Sequence, residues 1–312
     1  MFSGTFEAVA ALLAIGVLGF WLISRRIVPA NVLGVLSRLA LEVALPCLIF
    51  SRIITRLDPA TNPDWWKMPL LWAAFTVCAG CVTLVFLPLA ARGTRREFGF
   101  ALFYQNATFF PLVIIAQMRG AGVPRLVDLF LFTMFFSAFL FNTYPLVLHG
   151  HLRGIDWRKT LHPVLIVTAS AVVLKLTGLH TLVPAFLVSS FEMVGQMAVP
   201  LLMLILGGNI YVDFRRRGKF QWAEVTKFVL IKNFAFPLVA VGALMLLRPG
   251  PVVATLILLE SAVPPITSVP ILIDRVGGNR NVASQFVVAS FLCSVISIPL
   301  MLALLHWTGL VG

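Results

Sequence analysis

Charge is scarce in this sequence. Asp, Glu, Lys and Arg make up 12% of its 312 residues, about half the share of an ordinary soluble domain. No polar stretch is long enough to fold as a separate water-soluble domain. Also missing are a phosphate-binding loop, an H-E-x-x-H pair and any comparable grouping of the five histidines. ATP-driven pumping by this chain alone, metal catalysis and other enzyme chemistry therefore lack support, and no cofactor is expected. The first residues carry no positive n-region and no small-residue cleavage site, so they read as a retained span. Cysteine is sparse too. Cys47, Cys78, Cys81 and Cys293 all fall in apolar segments, and the C-A-G-C at 78–81, without a polar or His partner, reads as buried small hydrophobes.

What is present is apolar. Hydrophobic residues reach 60% and the mean hydropathy is +0.98, which together mark an all-α polytopic membrane protein. At about 20 apolar residues per crossing, ten candidate spans emerge at 6–24, 33–54, 68–90, 98–118, 125–148, 163–179, 188–211, 222–247, 251–274 and 282–308. Placing the N-terminus outside puts 14 Lys and Arg in inner connections against five, Arg56, Lys67, Arg119, Arg125 and Arg248, on the other face. Both termini are then outside. The same rule explains the net charge of +12, including Arg215 to Lys219, without a nucleic-acid partner.

The chain repeats itself. At an offset of 154 residues Pro46 falls on Pro200, Pro111 on Pro265 and Pro145 on Pro299, and EVALPCL at 42–48 resembles QMAVPLL at 196–202. Five spans per half is odd, so residues 151–312 must enter the membrane inverted relative to residues 1–150. Pro111 in span 4 and Pro264, Pro265 and Pro270 in span 9 are expected to break those helices at mid-membrane. Unpaired backbone groups and half-helix N-termini would then face an anion such as a carboxylate. The other prolines, Pro46, Pro145, Pro200, Pro237 and Pro299, read as kinks.

Polar residues at membrane depth fill in the site. Asn106 adjoins the span 4 break, and Ser268 and Thr267 follow the span 9 prolines. Lys232 lies either within the site, as a fixed positive charge, or nearer the inner face. Glu260, which the offset pairs with Asn106, is a candidate for proton coupling or for neutralising Lys232. Asn142 either lines the site or bonds between helices. Arg38 and Glu42 are spaced to pair along one helix face, with Glu192 as a further partner for Arg38. Gly207 and Gly208 read as the C-terminal cap of span 7.

Taken in order, ALPCLIF at 44–50, FGFALFYQNATFFPL at 98–112, PLLMLILGGNI at 200–210, KNFAFPLV at 232–239 and SAVPPITSVPI at 261–271 resemble the auxin efflux carrier family. That family includes the plant auxin transporters and many bacterial relatives. The resemblance covers nearly the whole chain. It implies ten spans in two inverted five-span repeats, with broken helices 4 and 9 crossing beside the substrate. It further implies a scaffold of spans 1, 2, 6 and 7 against which spans 3–5 and 8–10 move like an elevator, carrying organic anions such as auxin or dicarboxylates. Asn106, Pro111, Pro264 and Pro265 carry over from the family pattern, as do Asn142 and Lys232. The family pattern often has a glycine-containing stretch before the span 4 proline where this chain has NATFFPL, and Glu260 is a second departure. The long cytosolic loop of plant members is absent, which points to a bacterial inner membrane. A homodimer is compatible with this plan, and H+ or Na+ could drive it. Two alternatives stay open: a sodium-coupled carrier like the bile acid symporters, and a channel or sensor.

Overall fold

The computed structural model describes residues 2–118, 123–149, 161–215 and 220–311. Of the basic residues used for orientation, Arg119, Arg153, Arg158, Lys159, Arg216, Arg217 and Lys219 lie outside the described residues, as does His151. The described chain is helical throughout. In order come α1 Phe2–Ser24, α2 Val32–Arg38, α3 Leu45–Arg56, α4 Lys67–Phe86, α5 Arg95–Phe103, α6 Phe109–Gln117, α7 Leu126–Phe132 and α8 Phe136–His149. They are followed by α9 Pro163–Leu176, α10 Ala185–Gln196, α11 Ala198–Arg215, α12 Trp222–Leu230, α13 Phe236–Leu247, α14 Pro251–Ala262, α15 Val269–Asp274 and α16 Arg280–Trp307.

Among the described residues, six stretches are continuous and apolar enough to cross a bilayer: 32–56, 63–89, 126–145, 185–212, 222–247 and 280–307. Segments 95–117 and 251–274 fall short because each is two short helices in tandem. Proline explains much of the rest. Leu39–Ala44 and Ile231–Ala235 are wide π turns, and each is followed within two residues by a proline, Pro46 or Pro237. A proline ring clashes with the carbonyl four residues back and offers no N–H, so the preceding turn opens. Pro145 and Pro299, by contrast, sit inside helices that continue past them.

The chain divides into two compact units. One comprises Ile15–Ala73 and Arg125–Gly208. Here α1 and α11 approach so closely that a Cβ on Gly207 would collide with the carbonyl of Gly16, and one on Gly19 with the backbone of Leu204. Gly207 and Gly208 are therefore packing residues inside α11, which runs on to Arg215, and not the helix cap expected from sequence. Glu192 pairs with Arg52 at 3.3 Å, correcting the expected partnership with Arg38. The π turn at 39–44 begins just after Arg38 and contains Glu42, so the spacing that would align these two residues on an α-helix no longer does. Trp72 meets Phe136 and Phe139 edge-on, with centroids 6.5 and 5.6 Å away.

The other unit comprises Met1–Ala14, Ala74–Pro124 and Asn209–Gly312. Its core is aromatic: Phe98 lies 5.2 Å from Phe228 and 5.8 Å from Phe286, with Phe228 and Phe286 stacked at 4.5 Å. Two carboxylates tie the connections to this core. Glu97 accepts the Asn279 N–H at 2.7 Å, and Glu224 accepts the Ala91 N–H at 3.1 Å and an ammonium proton from Lys227 at 2.7 Å. Cys78 and Cys81, expected to be buried, are exposed on α4. They share that outer surface with Val77, Leu84 and Val85, which suits lipid.

Candidate functional site

The segments that carry Asn106, Pro111, Glu260, Pro264, Pro265 and Ser268 are both interrupted where their sequences stop favouring helix. In span 4, α5 ends at Phe103, Tyr104 turns out of helical geometry at φ −91°, ψ 88°, and α6 begins at Phe109. In span 9, α14 ends at Ala262, Val263 is extended at ψ 150°, and α15 begins at Val269. Pro264 makes the preceding Val263 avoid helical dihedrals, and neither Pro264 nor Pro265 can donate an N–H. Pro111 does not sit at the break as expected. It occupies the first turn of α6, three residues in, where a missing N–H costs nothing. The break lies upstream, at Tyr104–Thr108.

The two interruptions meet. Gln105 and Pro265 form an antiparallel bridge, flanked by hydrogen bonds from the Asn106 N–H to the Pro264 carbonyl and from the Ile266 N–H to the Tyr104 carbonyl, both 2.9 Å. Backbone groups expected to face cargo are thus partly satisfied by each other. This is how an apolar interior tolerates non-helical chain. Asn106 is 2% exposed, and its side-chain oxygen accepts the Phe109 N–H at 3.3 Å, covering one orphan donor at the α6 N-terminus.

Among the buried side chains around this crossing are several polar or charged ones. Lys232 sits in the π turn with no solvent exposure. Its ammonium donates to the Ser261 carbonyl at 3.2 Å and lies 4.7 Å from the Phe236 ring centroid. Glu260 is equally buried. Its Oε2 is 3.5 Å from the Gln105 amide nitrogen, the outer limit of a hydrogen bond, and its Oε1 is buried without a partner. Next to Lys232, the Asn233 amide donates to the Ser290 carbonyl and Ser297 hydroxyl and accepts from the Ser290 hydroxyl, which secures the wide turn against α16.

Glu260 precedes its break while Asn106 lies within one, because the interruptions are spaced 159 to 160 residues apart and not 154. Ser268 is half-buried at the start of α15, its carbonyl accepting the Leu272 N–H at 2.9 Å. Thr267 beside it is also half-buried. Asn142 belongs to the other unit, and its amide donates to the Ala138 carbonyl of its own helix at 2.8 Å. Sequence reasoning missed Gln105 and Ser261. Their adjacency to Asn106 and Glu260 was the available signal. Among the described residues, no three His, Cys, Asp or Glu side chains gather at metal-binding distance.

Comparison with known proteins fits this architecture. The chain matches a family model described as "membrane transport protein" over residues 5–149 and 149–302. It is also similar to an "uncharacterized transporter" of the archaeon Methanothermobacter thermautotrophicus, 23% identical over 308 residues that cover 96% of this chain and 98% of the relative. The chain belongs to the membrane transport protein family, the auxin efflux carriers that its sequence resembles.

Proposed function

We propose that the protein is a secondary carrier for a small organic anion, a carboxylate, bound where the interruptions of spans 4 and 9 meet. The observation that carries this reading is the pairing of two broken helices beside a fully buried ammonium, Lys232. A buried cation held without a closed ion pair is costly and marks a functional site by default. A carboxylate there receives the Lys232 charge and the Asn106 amide, close to the α6 N-terminus. Pro264, Pro265, Pro111 and Ser268 shape the surrounding backbone.

In this reading the chain crosses the membrane ten times as two inverted five-span repeats, residues 1–150 and 151–312, with both termini outside. A scaffold of spans 1, 2, 6 and 7 holds spans 3–5 and 8–10, which carry the anion across by elevator-type alternating access. A cell membrane of the bacterial inner type is its setting. Binding of a ligand to the folded state alone raises stability, so a thermal-shift screen of mono- and dicarboxylates on purified protein tests the reading. Stabilisation by a carboxylate that is lost in Lys232→Ala is the expected result. Stabilisation by sodium alone, or unitary currents far above carrier turnover, would replace this reading with a cation-coupled symporter or a channel.

A further inference from the structure

The buried pair formed by Lys232 and Glu260 invites a second question, because the two groups neighbour each other without closing an ion pair. Lys232 bonds to the carbonyl of Ser261, the residue after Glu260. Glu260 meanwhile keeps one oxygen without a partner and the other at the limit of reach of Gln105. Burial is complete for both. Of the elements packed against α14, the π turn supplies Lys232, and α6 and α13 carry no titratable side chain. Along α16 stand Cys293 at mid-helix and Arg280 and His306 at the ends. Among the described residues, the local charge count therefore comes down to one ammonium and one carboxyl.

One cation cannot neutralise two buried anions, and an uncompensated charge in such surroundings is strongly unfavourable. We propose that Glu260 is the proton-binding group of the carrier: Lys232 balances its carboxylate when the site is empty, and a bound carboxylate takes over Lys232 while Glu260 accepts a proton. The proton comes from water on the side to which the site is open, forms an O–H bond on Glu260, and leaves when the cargo leaves. Net charge at the site is then the same loaded and empty, and each monocarboxylate moves with one proton. This inference rests on the carboxylate reading above, and supplies its coupling ion.

Two measurements test it. Infrared spectroscopy of the purified protein at neutral pH needs no cargo. Lys232→Met is expected to produce a protonated-carboxyl C=O band that disappears in the Lys232→Met, Glu260→Gln double variant. A Lys232→Met spectrum with no band sensitive to Glu260→Gln overturns the proposal, as does the same band already present in the unliganded native protein. Melting temperatures and gel-filtration profiles of the variants establish that they are folded. The second measurement uses proteoliposomes with radiolabelled indole-3-acetate and succinate as probes. An inward proton gradient is expected to drive accumulation in the native protein and to fail in Glu260→Gln. Gradient-driven accumulation that survives in Glu260→Gln, or native accumulation indifferent to the gradient, overturns the proposal. Transport of neither probe counts against the carboxylate reading, while the infrared result still decides whether Glu260 and Lys232 share one compensating charge.

Discussion

At the scale of single residues, the proposed carboxylate site rests on Asn106 and Lys232. Asn106 does two jobs: its backbone N–H bridges the two breaks and its side-chain oxygen caps α6. Asn106→Ala keeps the first and removes the second, a loss of about 1 kcal/mol for a helix cap. The protein should therefore fold, with a melting temperature lowered by only a few degrees, and carboxylate uptake should be abolished. Equal loss of folding and uptake would reassign Asn106 to structure. Lys232→Ala should weaken carboxylate affinity about 10- to 100-fold, the worth of a hydrogen bond to a charged group; calorimetric titration showing unchanged affinity would remove it from the site. Both residues drew attention in the sequence because polar and charged side chains stand out in apolar runs. The partners of Lys232 were not, since Ser261 contributes a backbone carbonyl that no residue type announces.

At the scale of elements, prolines announced interruptions more reliably than they located them. Pro264 lies in its break, whereas Pro111 stabilises the start of the helix that follows. The same residue type thus has different consequences depending on its distance from a helix N-terminus. Pro46 and Pro237 show a third outcome, a widened turn in a helix that continues. Glycine was misread for a related reason: a Gly-Gly before Asn reads as a cap in isolation, and only the proximity of Gly16 reveals close helix packing. Gly207→Val should consequently destabilise the protein by about 1–3 kcal/mol through overpacking, measured by thermal unfolding, while carboxylate affinity in the folded fraction stays unchanged. A variant as stable as the native protein would contradict the close approach of α1 and α11. Removing the Glu97 carboxylate with Glu97→Ala leaves the Asn279 N–H without its acceptor and should cost about 1–3 kcal/mol. Chemical denaturation would register this, and no loss would show that the connection before α16 is held by other contacts.

For the whole molecule, composition alone disclosed a polytopic membrane protein, since 60% hydrophobic residues leave no other home for the helices. The ordered segments ALPCLIF, FYQNATFFPL and SAVPPITSVPI disclosed the family, which the match over residues 5–149 and 149–302 bears out. The repeat register was less legible, because an ungapped offset of 154 cannot absorb the longer arm before the second break. Topology is open to direct measurement. Single cysteines placed at each terminus of a cysteine-free variant should both react with a membrane-impermeant maleimide applied from outside intact cells, and labelling of one end alone would break the inverted arrangement.

The most direct test of the central claim is an experimental structure of the protein in a lipid nanodisc with a stabilising carboxylate bound. The account predicts the carboxylate density beside Asn106 and the Lys232 ammonium, with Gln105 and Pro265 still bridging the two breaks. Continuous helices through 98–118 and 251–274, or a carboxylate bound away from both, would contradict it.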